Sequence, residues 1–165
     1  MTQHYEHELA RSPEVAADRI ECVYLTCFRP EFSCLAIVTQ YSRVRMVQAE
    51  SLDEADFVLT VTGARVLLTD VSFPDGSWRE ALYMAAEMHP HAASVIVADP
   101  VDRPYLGDAY MRGACGVLWK PIDFAEAIRL IRTVDQASRD RGIWLAETEA
   151  GACEGWKNTG RRHGS

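Results

Sequence analysis

RVLLTDVSFPDG, at residues 65–76, is the stretch that decides the fold. Its first half is short, apolar and bounded by turn signals, which is typical of a buried strand in a parallel sheet. Asp70 ends that strand, and the loops at the carboxyl edge of an open α/β sheet form its functional crevice. Pro74, Asp75 and Gly76 then favour a tight turn. Two interpretations of Asp70 remain open at this point: a functional carboxylate, or a loop residue satisfied by nearby N–H groups.

Similar apolar stretches predict further strands, and apolar residues at helical spacing predict a helix after each of them. The predicted strands are Ile20–Leu25, Val44–Val47, Val66–Asp70, Ser94–Ala98 and Gly116–Trp119. The predicted helices run from Pro30 to about Ser42, from Leu52 to about Gly63, from Trp78 to about His89, from Pro104 to Arg112, and from Phe124 to about Arg139. Ser51 and Ser77 each precede a glutamate by three residues, which is the spacing of a capping box.

This alternation of strands and helices is typical of an α/β domain with a doubly wound parallel sheet, covered by helices on both faces. We assign residues 19–139 to that domain, residues 1–18 to a polar N-terminal arm, and residues 140–165 to a polar C-terminal tail. One domain is also what a chain of 165 residues predicts.

Composition narrows the classes of function. The formal net charge of −7 argues against direct nucleic-acid binding, which needs a basic face. The sequence contains no apolar run long enough to span a membrane, and its first residues lack the pattern of a signal peptide. Five cysteines without a CxxC pair are typical of reduced thiols. We therefore expect a cytoplasmic protein without a membrane or nucleic-acid partner.

Asp70 and Lys120 both follow predicted strands, so they can meet at the carboxyl edge of the sheet. A carboxylate beside a fixed ammonium can accept a phosphoryl group, whose oxygens the ammonium neutralises. With this pair, the motifs of the sequence resemble the receiver domain of bacterial response regulators, the CheY-like family. The matching stretches are LLTD at 67–70, FPDG at 73–76, VIVA at 95–98, residues 109–114, and GVLWKP at 116–121.

The resemblance implies a flavodoxin-like (βα)5 fold with strand order 2-1-3-4-5. It also implies that Asp70 is the phospho-acceptor, that Lys120 contacts the phosphate, and that the bond between Lys120 and Pro121 is cis. Receivers normally hold Mg²⁺ with two acids at the end of the first strand, where this chain has Thr26 and Cys27 or, in an alternative alignment, Cys27 and Phe28. Since Mg²⁺ requires carboxylate oxygens, we expect no metal cofactor, or a weakly bound Mg²⁺ at most.

Two further pocket positions depart from the family. Ala98 replaces the Ser or Thr that hydrogen-bonds the phosphoryl group, and Val117 replaces the aromatic residue of the switch. We therefore interpret the chain as an atypical receiver of two-component signalling, and as a protein-interaction module independent of phosphorylation. The alternative is a working receiver that takes a phosphoryl group from a histidine kinase onto Asp70. An enzyme with Cys27 as nucleophile is not expected, because no base is placed near it.

The expected partners are a histidine kinase or another signalling protein, and a second copy of this chain. The resemblance points to a dimer face formed by the fourth helix, fifth strand and fifth helix, with Tyr110, Arg129 and Arg132 as candidate interface residues. Asp102 and Asp108 are acids that could pair with these arginines across a two-fold axis. The alternative is a monomer whose arginines are solvated.

Overall fold

The computed structural model describes residues 19–159, and the side chains of residues 19–142. The strands are β1 (Ile20–Leu25), β2 (Val44–Ala49), β3 (Val66–Asp70), β4 (Ser72–Phe73), β5 (Gly76–Ser77), β6 (Ala93–Ala98) and β7 (Ala114–Trp119). The helices are α1 (Arg29–Gln40), α2 (Leu52–Thr62), α3 (Trp78–Met88) and α4 (Phe124–Thr159), and a 3₁₀ helix spans Pro100–Tyr105. The predicted N-terminal arm lies outside the described residues.

A five-stranded parallel sheet organises the chain, in the order β2-β1-β3-β6-β7. The short strands β4 and β5 form a separate antiparallel pair in the turn after β3. With that pair left out of the numbering, the order is 2-1-3-4-5, so the predicted topology and fold class are confirmed. The register aligns Leu25 with Thr69 and Asp70 with Val97, which brings the carboxyl ends of β1, β3 and β6 to one edge.

Helices cover both faces of the sheet, because alternate residues of its strands point to opposite sides. Tyr24 of β1 belongs to a buried cluster with Leu35 of α1 and Ile131 of α4. Leu25, the next residue, packs on the other face with Leu59 of α2. The two strands at the centre, β1 and β3, are buried on both faces, as the apolar stretches predicted.

Two helices begin and one ends where the sequence predicts. The Ser51 hydroxyl accepts a hydrogen bond from the N–H of Glu54 at 3.1 Å. Ser77 and Glu80 form a complete capping box at the start of α3. Gly63 closes α2 in the left-handed conformation, with φ of 63°, which glycine adopts without strain.

The predicted helix from Pro104 to Arg112 is wrong. The chain there forms the 3₁₀ helix Pro100–Tyr105 and then turns up to Gly113, whose φ is 102°. Pro104 has no N–H to donate, and glycine weakens a helix by about 1 kcal/mol relative to alanine. Local hydrogen bonds therefore form tight turns here instead of an α-helix.

The last helix continues beyond the predicted end near Arg139 and reaches Thr159. The sequence after Arg139 contains no proline, and single glycines such as Gly142 weaken a helix without ending it. The assignment of a separate tail from residue 140 stays a prediction. None of the helices in the described part of the chain is both long enough and apolar enough to cross a bilayer.

Candidate functional site

Asp70 lies at the carboxyl end of β3, the central strand of the sheet. Its neighbours β1 and β6 end at the same edge, so the residues that follow them surround the carboxylate. The side chain of Asp70 is half-buried, and Thr69 before it is fully buried. The structure therefore places Asp70 in the crevice that its sequence position predicted.

Hydroxyl groups contact both carboxylate oxygens of Asp70. Thr26 Oγ1 donates to Oδ2 at 2.5 Å, and the Tyr24 hydroxyl lies 2.8 Å from Oδ1. Thr26 Oγ1 also accepts from the N–H of Phe28 at 3.1 Å, which leaves its own hydrogen for Asp70. Burial raises the pKa of the Asp70 carboxyl above its ordinary value, although these hydrogen bonds and the charge of Lys120 oppose the rise. Asp70 therefore keeps its proton to a higher pH than an exposed aspartate does.

A single phenol links Asp70 to a second carboxyl group. The Tyr24 hydroxyl lies 2.7 Å from Glu31 Oε1 as well as 2.8 Å from Asp70 Oδ1. Burial, and after it the neighbouring negative charge of Asp70, raises the pKa of the Tyr24 hydroxyl, so the phenol stays protonated. Because a phenol has one hydrogen to donate, both contacts are favourable together when one carboxyl group donates a proton to the phenol oxygen. Glu31, Tyr24 and Asp70 therefore form a hydrogen-bonded chain in which the phenol bridges the two carboxyl groups.

Lys120 pairs with Glu31, a residue that the sequence analysis did not single out. Lys120 Nζ lies 3.2 Å from Glu31 Oε1, and the two side chains are 23% and 18% exposed. The Lys120 N–H donates to the carbonyl of Ala98 at 2.9 Å, and its bond to Pro121 is cis, as the resemblance implies. Lys120 and Glu31 therefore form an ion pair at the edge of the sheet that carries Asp70, next to the phenol that contacts both carboxyl groups.

Tyr24 and Glu31 are site residues that the sequence analysis missed. Tyr24 carries a polar group in a mostly apolar strand, just before its end. Glu31 lies in the first turn of α1, and a helix that follows a parallel strand begins at the strand's carboxyl edge. Both signals were present in the sequence, but neither indicated that the two side chains meet.

The donor set at this edge does not fit the Mg²⁺ that the resemblance implies. Mg²⁺ needs near-octahedral oxygen ligands, usually with one or two free carboxylates. Thr26 and Cys27 supply no carboxylate, the oxygens of Asp70 are hydrogen-bonded, and Glu31 is paired with Lys120. Within the described residues, no group of three His, Cys, Asp or Glu side chains has the arrangement of a metal site.

The remaining pocket positions supply no reactive group to Asp70. The Cys27 thiol is exposed and donates to the carbonyl of Glu50 at 3.3 Å. Desolvation, and then the charge of Glu50, raises the pKa of Cys27, which reduces the thiolate that a nucleophile requires. Ala98 is buried, and Val117 packs with the apolar cluster around Trp78. No hydroxyl or aromatic ring stands at these two positions.

The three predicted interface residues line two different cavities, and their role as an interface stays a prediction. Tyr110 and Arg129 line the same cavity of about 320 Å³, on the β7 side of the sheet, and the Tyr110 side chain is exposed. Arg132 lies elsewhere, because its guanidinium donates to the carbonyl of Ser42 at 3.1 Å, between α1 and β2.

Asp108, which the sequence suggested for pairing across a two-fold axis, has partners in its own chain. Its carboxylate lies 3.2 Å from the guanidinium of Arg79 and 2.5 Å from that of Arg112. The hydrogen bond with Arg112, and then the charge of Arg79, hold the pKa of Asp108 below its ordinary value, although desolvation opposes this shift. Asp102 likewise accepts from the N–H of Asp99 at 3.1 Å, inside its own loop.

Solved structures of receiver domains superpose on this chain. A response regulator receiver domain protein from Clostridium thermocellum is 18% identical, with a TM-score of 0.67, over 73% of this chain and 97% of that chain. The signal receiver domain of an HD domain-containing protein from Pseudomonas fluorescens Pf-5 is 14% identical, with a TM-score of 0.69, over 74% of this chain and 91% of that chain. The non-phosphorylated HemR receiver domain from Leptospira biflexa is 14% identical, with a TM-score of 0.62, over 71% and 94%.

The sequence comparisons add nothing to this structural likeness, since no family model and no curated protein matches the chain. At these identities the likeness concerns the backbone architecture. The chain has the fold of response-regulator receiver domains, with the carboxyl edge of the sheet occupied by the network of Asp70, Tyr24, Glu31 and Lys120.

Proposed function

We propose, on the basis of this receiver fold, that the chain is a signalling module of a two-component system that acts through protein contacts without being phosphorylated. The ion pair between Glu31 and Lys120 carries the proposal. The ammonium that would neutralise phosphoryl oxygens is already neutralised by a carboxylate of the same chain. Both oxygens of Asp70, moreover, already have hydrogen-bond partners in Tyr24 and Thr26.

In this proposal the chain is not an enzyme, and it needs no metal cofactor. Its partner is a histidine kinase or another signalling protein that recognises the receiver surface itself. The network at Asp70 then has a structural role, because it keeps the carboxyl edge of the sheet in one arrangement. Hydrogen bonds from Thr26 and Tyr24 support that role, since they satisfy both oxygens of a half-buried carboxyl group.

The second candidate function is a working phospho-acceptor. One observation favours it: Lys120 is close enough to Asp70 to lower the pKa of the carboxyl by its charge. A rotation of Glu31 away from Lys120 would free the ammonium for a phosphoryl group. Asp70 would then be the acceptor, with Lys120 as its phosphate contact.

Incubation with acetyl phosphate and Mg²⁺, followed by intact-mass measurement, separates the two candidates. We expect no phosphoryl group on the wild-type chain. Labelling of the wild type that disappears in Asp70→Asn would instead establish the second candidate.

A pair of variants tests the role of Glu31. Glu31→Gln should increase beryllofluoride binding relative to wild type, because it removes the charge that occupies Lys120. The matched control is Glu126→Gln on the exposed face of α4, which should leave binding unchanged. Equal beryllofluoride binding by wild type and Glu31→Gln would reject the explanation based on the ion pair.

We further propose that the chain forms a homodimer through the surface that contains Tyr110 and Arg129. Glu126 and Arg129 line this cavity one helical turn apart with opposite charges, so a two-fold axis would pair each with its counterpart. The segment of the chain that includes Tyr110 also exposes other large apolar side chains: Val101, Tyr105 and Met111. Sedimentation should give a dimer for wild type and a monomer for Arg129→Glu. Arg132→Glu is the control, and a monomer for all three chains would contradict the dimer.

A further inference from the structure

A second cavity, of about 430 Å³, opens at the amino edge of the sheet, opposite the edge that carries Asp70. Ile20 at the start of β1 forms part of its wall, with Ser42 and Arg43 just before β2. The other wall is the middle of α4. Its volume is within the range of about 300–1,000 Å³ that is typical of small-molecule sites.

The wall of this cavity is positively charged, although the whole chain has a net charge of −7. Arg43, Arg132 and Arg139 line it, and Asp135 is the acid among its lining residues. The Asp135 side chain is only 5% exposed, and its two oxygens lie 3.0 Å from Arg65 and 2.9 Å from Arg139. Asp135 is thus shared by two guanidinium groups, and among the described residues that line the cavity three arginines stand against one aspartate.

Two of these guanidinium groups are held in position by the protein. Arg139 is fixed through its Nε, which contacts Asp135, and Arg132 is fixed through one terminal nitrogen, which donates to the carbonyl of Ser42. A guanidinium group has five N–H donors, and each of these contacts uses one of them. Side chains that are already ordered lose less entropy when an anion binds.

The backbone at Arg43 adds an independent feature. Its φ is 61°, in the left-handed region, where a residue with a Cβ is strained by roughly 1–2 kcal/mol. Glycine would occupy this position without strain. The chain instead carries a third arginine here, at the rim of the charged cavity.

We propose that this cavity binds a small phosphorylated ligand through its phosphate or diphosphate group. Planar guanidinium groups match the oxygens of phosphate in paired hydrogen bonds, and they keep their charge at every physiological pH. Cavity walls of one sign also raise the local concentration of the opposite ion. The site is separate from the network at Asp70 and does not depend on phosphorylation there.

The test is an amide NMR titration of the full chain with pyrophosphate, inorganic phosphate, ADP and adenosine. We expect pyrophosphate to bind with a Kd below about 1 mM and to shift the amides of Arg43 and of residues 132–139. Equal affinities for pyrophosphate and ADP would assign recognition to the phosphates alone, and tighter ADP binding would add a contact to the nucleoside. A Kd for pyrophosphate above about 1 mM would overturn the proposal, and so would amide shifts confined to residues outside the cavity.

Variants separate this site from general attraction of anions. Arg132→Gln should weaken pyrophosphate binding at least about tenfold, since it removes a charge and keeps an N–H donor. Arg43→Gly should weaken it too while remaining folded, because the left-handed φ suits glycine. The control is Arg29→Gln at the start of α1, an arginine whose side chain is 76% exposed and which is not among the residues that line this cavity. Equal loss of affinity in the control would reject a defined site.

Discussion

Lys120 Nζ lies 3.2 Å from Glu31 Oε1, at the edge of the sheet where a receiver-type lysine is expected to meet a phosphorylated aspartate. The carboxylate of Glu31 therefore provides, within the chain, the negative charge that a phosphoryl group would bring. Tyr24 connects the same carboxylate to Asp70, with contacts of 2.7 and 2.8 Å. The edge of the sheet around Asp70 is thus a network of hydrogen bonds and one ion pair.

Mg²⁺ is expected to bind with a Kd above about 1 mM, because the donor set around Asp70 lacks a pair of free carboxylates. Titration calorimetry at neutral pH measures this directly. Asp70→Asn is the control for any heat that arises elsewhere on the acidic surface. A sub-millimolar site that is lost in Asp70→Asn would contradict the expectation.

Asp70→Asn is expected to change the free energy of unfolding by less than about 1 kcal/mol at neutral pH. The new amide can accept from Thr26 Oγ1 through its oxygen and donate to the Tyr24 hydroxyl oxygen through its nitrogen, so both contacts survive. Urea unfolding measures the stability, and sedimentation measures the proposed dimer. A loss of dimer or partner affinity above about tenfold would show that the charge of Asp70 takes part in signalling.

The stability of the chain should depend on pH through Asp70. Burial raises the pKa of this carboxyl above its ordinary value of 3.8, so the folded chain binds the proton more tightly than the unfolded chain. The contribution of Asp70 to stability is then fully present below pH 3.8 and is lost as the pH rises through the folded-state pKa.

The measurement compares wild type with Asp70→Asn by urea unfolding at a series of pH values. The free energy of unfolding of wild type, minus that of Asp70→Asn, should fall as the pH rises above 3.8. The subtraction removes the contributions of other titrating groups that both chains share. A difference that increases with pH would mean that the pKa of Asp70 is lowered by folding.

Tyr24→Phe should lower the free energy of unfolding by about 1–2 kcal/mol, because it removes the hydroxyl that is hydrogen-bonded to the carboxyl groups of Glu31 and Asp70. Adding Glu31→Gln should recover part of this loss, with a coupling of at least about 0.5 kcal/mol in a double-mutant cycle. Tyr83→Phe, an exposed tyrosine of α3, is the matched control and should change stability by less than about 0.5 kcal/mol. Equal effects of the two tyrosine variants would mean that the Tyr24 hydroxyl has no special role.

Local patterns were enough to predict the sheet. Strand β1 begins and ends at the predicted residues, Ile20 and Leu25, because a short apolar stretch between turn signals determines its own limits. Ser51 and Ser77 cap their helices because a capping box involves residues only three positions apart. The strand order followed once the family resemblance was recognised, and the superposed receiver domains confirm the architecture.

The same local reasoning was wrong where weak preferences compete. Pro104 and Gly107 reduced helix propensity without excluding a helix, and the chain formed a 3₁₀ helix and turns instead. The end of α4 was also misplaced, because no proline or cap after Arg139 opposes its continuation to Thr159. Propensities of a few tenths of a kcal/mol per residue are too small to decide such boundaries.

What the sequence alone determined about this protein is therefore its sheet, its helix caps, and the position of Asp70 at the carboxyl edge. Only the tertiary structure decided that Lys120 pairs with Glu31, and that Arg132 and Arg139 meet Arg43 around one cavity. Glu31 and Lys120 are far apart in the chain, and their pairing depends on how α1 and β7 are placed by the sheet between them. Side-chain periodicity shows which face a residue occupies, whereas the identity of a distant partner depends on the packing of the whole domain.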